Sequence, residues 1–136
     1  MVETKIEYQG QLRCKAVHVP SGQSILTDAP TDNMGKGEFF SPTDLVAAAI
    51  GTCMLTVMGI VANKYKIDMA GSTATVVKEM AAAPLRRIGT LKVSITVPTV
   101  LTDEQKKILE NAAMSCPVHK SISSEVKIPV EFTWGK

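Results

Sequence analysis

Aromatic residues are scarce in this chain, with three Phe, two Tyr and one Trp making up 4% of it. The interior must therefore be filled by Ala, Val, Ile, Leu and the seven Met. Charge of either sign is also in short supply. A net charge of +2, with no stretch that interleaves Lys or Arg with aromatics, argues against a nucleic-acid partner. Three cysteines are too few for a disulfide scaffold and read as reduced thiols of a cytoplasmic protein. Repeats, low-complexity tracts and linkers are absent, and Met1–Glu7 has no apolar core of the kind a secretory leader needs. What remains is 136 residues, 45% hydrophobic and 21% charged, expected to fold as one domain over 1–136.

One apolar run stands out. Leu45 to Ala62 is 18 residues without a charge, at the lower limit for crossing a bilayer. Gly51, Thr52, Cys53, Thr56 and Gly59 dilute it. A helix apolar on every side is also what the centre of a soluble fold requires, and no membrane association is expected.

The pattern along the chain is α+β. Val2, Thr4, Ile6 and Tyr8 alternate with polar residues, and Leu12–Val19 and Gln23–Thr27 follow as strands separated by turn residues. Asp28–Phe40 carries Pro30, Asn33, Gly35 and Gly37, which is loop chemistry. Ser41, Pro42 and Asp44 open a helix expected to run to about Lys66. Ser72–Met80 and Ile88–Val97 form a second strand pair. Thr102 and Gln105 give another capping box, opening a helix whose Ile108, Leu109, Ala112 and Ala113 form its buried stripe. A short helix starts at Cys116, and Ile128–Trp134 makes a last strand, with Pro129 marking an edge or bulge. The expected architecture is antiparallel sheet around a long central helix.

Two thiols occupy different helical settings. Cys53 lies inside the apolar helix, where the plain reading is a core filler, because burial raises a thiol pKa. Reactivity there would need a cation. A charge at ~4 Å and an effective dielectric of ~20 is worth ~4 kcal/mol, about three pKa units. Arg13 is the only arginine outside the Arg86–Arg87 pair and is the candidate. Cys116 precedes Pro117 at a helix start, where the dipole favours a thiolate, so local chemistry makes Cys116 the more acidic of the two. Cys14 reads as packing. His119, three residues after Cys116, gives half of a zinc site, but no second pair with matching spacing completes it and no metal or cofactor is expected.

Ser41-Pro-Thr-Asp-Leu-Val-Ala-Ala-Ala-Ile-Gly-Thr-Cys53, with Cys116-Pro-Val-His 63 positions after that cysteine, resembles the OsmC/Ohr family. Thr27–Phe40 is similar to a less characterised OsmC-like branch, and the order of elements matches over nearly the whole chain. The resemblance implies an intertwined homodimer with two sites at the subunit interface, each reducing organic hydroperoxides as an oxidative-stress defence. Cys53 matches the attacking cysteine and Cys116 the resolving one, with a lipoylated or thioredoxin-like dithiol protein restoring both. Arg13 matches the arginine that holds the thiolate. In the family, a glutamate ten residues before the attacking cysteine pairs with that arginine, and this chain has Thr43 there. Glu38, in the preceding loop, is the substitute carboxylate. The alternative reading is a non-enzymatic OsmC-like protein that binds a small apolar molecule or senses oxidants.

Overall fold

The computed structural model describes all residues 1–136, which divide into two compact units, Met1–Val46 and Ala47–Lys136. The first unit is built on a three-stranded antiparallel sheet of β1 (Thr4–Gly10), β2 (Arg13–His18) and β3 (Ser24–Asp28), in that order. The β1–β2 hairpin turns through Gly10, Gln11 and Leu12, all with positive φ, and Gly10 supplies the conformation that glycine adopts without penalty. In the β2–β3 hairpin, Val17 pairs with Ser24 and the register runs back to Arg13 opposite Asp28. The third strand thus extends one residue beyond the sequence expectation.

Residues 29–41 fold back over the end of that sheet. The Asp28 amide donates to the Phe40 carbonyl, Ala29 to Leu12, and Gly37 to Ala29. A Cβ at Gly35 would lie 1.7 Å from the Ala29 carbonyl oxygen, so the loop closes only around a glycine there. Gly37 adopts φ 61°. The loop ends at α1 (Pro42–Lys64), whose first turn begins this unit's exit. Ser41 caps it reciprocally: the Asp44 amide donates to Ser41 Oγ at 3.1 Å, and the Ser41 amide donates to the Asp44 carboxylate at 2.9 Å.

In the second unit, α1 stops two residues before the expected Lys66. Lys66 turns left-handed at φ 56°, the Ile67 amide bonds to the Ala62 carbonyl and Lys66 to Asn63. This is a Schellman ending with lysine in the place usually taken by glycine, sealed by the burial of Ala62 and Ile67. The buried face of α1 is Ala47, Ile50, Gly51, Met54, Met58 and Ala62. It packs tightly on the second sheet at Gly51, where a Cβ would sit 2.9 Å from Val76 Cγ2 and 3.9 Å from Ala74 Cβ. By length and composition α1 could cross a membrane, and a third of its most apolar window is buried inside the protein (33%).

The second sheet has the order β4 (Thr73–Ala81), β5 (Arg87–Val97), β6 (Val130–Trp134). Leu91, Val93, Ile95 and Val97 form its inner face and are all buried, as their alternation with Lys92, Ser94 and Thr96 implies. β4 and β5 are antiparallel, whereas β6 runs parallel to β5, which makes this sheet mixed. The chain reaches β6 through α2 (Asp103–Met114) and α3 (Pro117–Ser121), the length of connection a parallel pairing needs. Pro129 precedes the edge strand β6 and contributes only its carbonyl, to the Val93 amide. Thr102 and Gln105 form the expected capping box of α2, whose buried residues are Leu109, Ala112 and Ala113.

Candidate active site

Two chemical clusters emerge, one in each unit. In the second unit α1 and the start of α3 bring the two thiols together. Cys53 lies on the flank of α1, one helical step away from the fully buried Met54 and Ile50, and is half-exposed. Cys116 is the N-cap of α3 and is fully buried. The two thiols lie near enough for Cys53 to act on the ionisation of Cys116, and both are free cysteines.

The local helix-start argument made Cys116 the more acidic thiol, and its surroundings work against that. Burial pushes the Cys116 pKa up, the neighbouring Cys53 thiol adds to the rise, and the His119 and Val118 amides oppose it without prevailing. The His119 amide does donate to Cys116 Sγ at 3.4 Å, so the cap is real. A five-residue helix simply offers less than desolvation removes. His119 Nδ1 is buried without a hydrogen-bond partner, and no three potential metal ligands converge anywhere in the chain.

Along the flank of α1, Ala49, Val57 and Ile60 stand at four, four and seven residues from Cys53 and so share its side of the helix. Val57 is half-buried and Ile60 is exposed. Met54 is buried in the core and offers nothing to that flank.

The first unit assembles the guanidinium cluster. Arg13 Nε and Nη2 donate to the two carboxylate oxygens of Asp28 at 2.6 and 2.8 Å, a bidentate fork. Nη2 also donates to Glu38 at 3.0 Å, and the Phe39 ring lies 4.7 Å from Cζ. These contacts keep Arg13 charged, with its pKa raised chiefly by the bonds to Asp28 and then Glu38. Nη1 is left as the edge of the guanidinium without a hydrogen bond. The carboxylate of Asp28 is held below its usual range by Arg13, and the Glu38 amide adds a further bond at 3.1 Å.

Glu38 therefore does meet Arg13, as the sequence suggested, but Asp28 is the principal partner and sequence reasoning missed it. The signal was available: continuing the β2–β3 register from its turn by one more pair sets Asp28 opposite Arg13. Thr43 instead meets the Ser41 hydroxyl, at 3.2 Å, and Cys14 is half-buried opposite Thr27.

A family profile described as OsmC-like protein matches residues 35–131. Among solved structures, the chain is 48% identical to a protein of Psychrobacter arcticus 273-4 assigned provisionally to the osmotic stress induced and detoxification response. That match covers 97% of this chain and 96% of the other, with a TM-score of 0.92. An organic hydroperoxide resistance protein OsmC of Legionella pneumophila shares the fold at 18% identity, with coverage of 98% and 96% and a TM-score of 0.80. An organic hydroperoxide resistance protein of Elizabethkingia anophelis does so at 15% identity, with coverage of 98% and 95% and a TM-score of 0.79. No functionally curated protein matches the chain. With the profile spanning most of its length and a relative near half-identical over nearly all of it, this chain belongs to the OsmC-like protein family.

Proposed function

We propose that this protein is a thiol-dependent reductase of organic hydroperoxides, acting as a cytoplasmic homodimer in which residues 1–136 work as one OsmC-like domain. The observation that carries the reading is the neighbouring pair of thiols, drawn from residues 63 positions apart, with one half-exposed and the other fully buried. Cys53 attacks because a peroxide can reach it. Its thiolate takes the distal peroxide oxygen, the O–O bond breaks, and the alkoxide leaves with a proton as alcohol. Cys53 is then a sulfenic acid. The Cys116 sulfur attacks the oxidised sulfur, its proton leaves with the hydroxyl as water, and a Cys53–Cys116 disulfide forms. An external dithiol, lipoylated or thioredoxin-like, exchanges with that disulfide, becomes oxidised itself and restores both thiols.

A raised pKa suits Cys116 to this role. A resolving thiol that keeps its proton neither competes for peroxide nor repels the Cys53 thiolate, and it brings the proton that the departing hydroxyl needs. Arg13 is assigned to hold the Cys53 thiolate, with Nη1 as the edge available for it. Glu38 and Asp28 orient that arginine.

A dimer is supported by what the single chain leaves uncovered. Ile6, Tyr8 and Ile25 of the first sheet and Ile60 of α1 are 70%, 62%, 48% and 64% exposed. A second copy would bury them.

The test is stoichiometric. Reduced protein treated with cumene hydroperoxide should lose two thiols per chain and form an intramolecular disulfide. Excess dithiothreitol should then sustain multiple turnovers. Unchanged thiols at excess peroxide would sink the proposal, and oxidation without turnover would make the protein a sensor rather than an enzyme.

A further inference from the structure

We infer that Asp28, rather than a carboxylate on α1 or the loop residue Glu38, is the residue that positions Arg13 for its work. This deepens the function proposed above and rests on it for the consequence in catalysis. The two carboxylates around Arg13 differ in every respect that decides strength. Asp28 is 1% exposed, lies directly across the hairpin from Arg13, and engages Nε and Nη2 together at 2.6 and 2.8 Å. Two parallel charge-assisted bonds fix the plane of a guanidinium as well as its place. Glu38 is 59% exposed along its side chain and makes one bond at 3.0 Å, from a loop rather than a strand. A single contact in solvent fixes little.

Asp28 is itself held. The Glu38 amide donates to Oδ2 at 3.1 Å, and the Asp28 amide is tied to Phe40. Loop 29–40 therefore braces Asp28 through its backbone, which substitution of the Glu38 side chain leaves intact. With Nε and Nη2 engaged by Asp28 and Glu38, Nη1 is the edge left over, and the Phe39 ring lies against the guanidinium with its centroid 4.7 Å from Cζ. This arrangement removes the need for a carboxylate at Thr43.

The experiment reads Arg13 directly and then the reaction. The chain has three arginines, so nitrogen-15 spectra of the guanidinium groups are readily assigned with Arg13→Lys as reference. Wild-type Arg13 should show hindered rotation, with resolved Nη signals. Glu38→Gln should retain them, and Asp28→Asn should collapse them to an averaged signal. In single-turnover oxidation by cumene hydroperoxide, Asp28→Asn should slow the first step about 10- to 100-fold. Glu38→Gln should slow it about two- to fivefold. Resolved signals that survive in Asp28→Asn, or collapse in Glu38→Gln, overturn the inference. The second criterion needs only the Glu38 variant, so it holds even should Asp28→Asn fail to fold. If the spectra behave as expected while wild-type protein leaves peroxide untouched, the positioning role stands and the peroxidase reading falls.

Discussion

The two sheets of this protein have three strands each and are held together in opposite ways. The C-terminal sheet is fixed by burial: Leu91, Val93, Ile95 and Val97 are all at 0–1% exposure, in line with the buried face of α1. In the N-terminal unit not one apolar side chain is buried. Its buried residues are Thr27, Asp28 and Ser41, all polar and all engaged in pairing or capping. One unit is a hydrophobic core that happens to carry thiols, and the other is a hydrogen-bonded frame that presents a guanidinium. A frame of 46 residues with no buried apolar side chain has little hydrophobic stabilisation of its own. Its exposed Ile6, Tyr8 and Ile25 are the surface that the proposed partner copy would cover.

In the function proposed above the reacting thiols belong to the C-terminal unit and Arg13 to the N-terminal one, and substitution should separate the two roles. Cys53→Ser should abolish peroxide consumption. Cys116→Ser should permit one oxidation per chain and leave a sulfenic acid at Cys53 that dimedone traps. Arg13→Ala should slow the first step while retaining two-thiol stoichiometry. If Cys116→Ser eliminates the first oxidation and Cys53→Ser preserves it, the roles are reversed, and burial has been outweighed by the helix start.

Stability should divide just as clearly. Leu91→Ala removes a fully buried side chain and should cost roughly 2–5 kcal/mol at any protein concentration. Ile6→Ala in a lone chain would change little, because the side chain is already exposed. In a dimer that covers it, the cost should exceed about 1 kcal/mol and depend on concentration. Sedimentation equilibrium on wild type supplies the control, with a dimer expected at micromolar concentration. A stable monomer would break the explanation offered for the bare N-terminal sheet.

The unburied flank of α1 sharpens the contrast within the second unit. Val57 and Ile60 continue the helix surface away from Cys53, so a bulky apolar peroxide gains contact there that hydrogen peroxide lacks. Cumene hydroperoxide should oxidise Cys53 at least tenfold faster, since burying even ~60 Å² of apolar surface is worth ~1.5 kcal/mol. Equal rates would remove the apolar flank from the mechanism. On the opposite, buried face, Gly51→Ala should destabilise by about 1 kcal/mol. The gain in helix propensity is then outweighed by overpacking against Val76, whose Cγ2 would stand 2.9 Å from the new Cβ. A more stable variant would mean that Val76 yields freely.

Much of this was legible in the sequence because local rules and tertiary structure agree. Both capping boxes name their own partners at fixed spacing, and the alternation along Leu91–Val97 identifies a buried face without knowing what covers it. Three features were not legible. Lys66 ends α1 through a left-handed turn that its side chain does not advertise, whereas a glycine there would have marked it. The parallel entry of β6 depends on how α2 and α3 return the chain, which no residue of β6 encodes. The burial of Cys116 is a sum over neighbours distant in sequence, so the local dipole was visible and the larger opposing effect was not. Asp28 belongs to a different class. Its loop-like residue type concealed a strand position that the hairpin register implies.

The smallest expected effect tests both units in one titration. Asp28 has a folded pKa below its unfolded value near 3.9, so the unfolded chain binds the proton first as pH falls. Its contribution to stability is complete above pH of about 5 and is lost as pH drops through 3.9 toward the lower folded value. Cys116 lies at the other end. Its folded pKa is above the unfolded thiol value near 8.5, so the unfolded chain releases the proton first as pH rises. That contribution is complete below pH of about 7.5 and declines as pH climbs past 8.5. Thermal melts of fully reduced protein should therefore weaken at both extremes. Asp28→Asn should flatten the acid limb alone, and Cys116→Ser the alkaline limb alone. A variant that flattens the opposite limb, or both together, would show that the polar frame and the thiol-bearing core do not titrate as separate units.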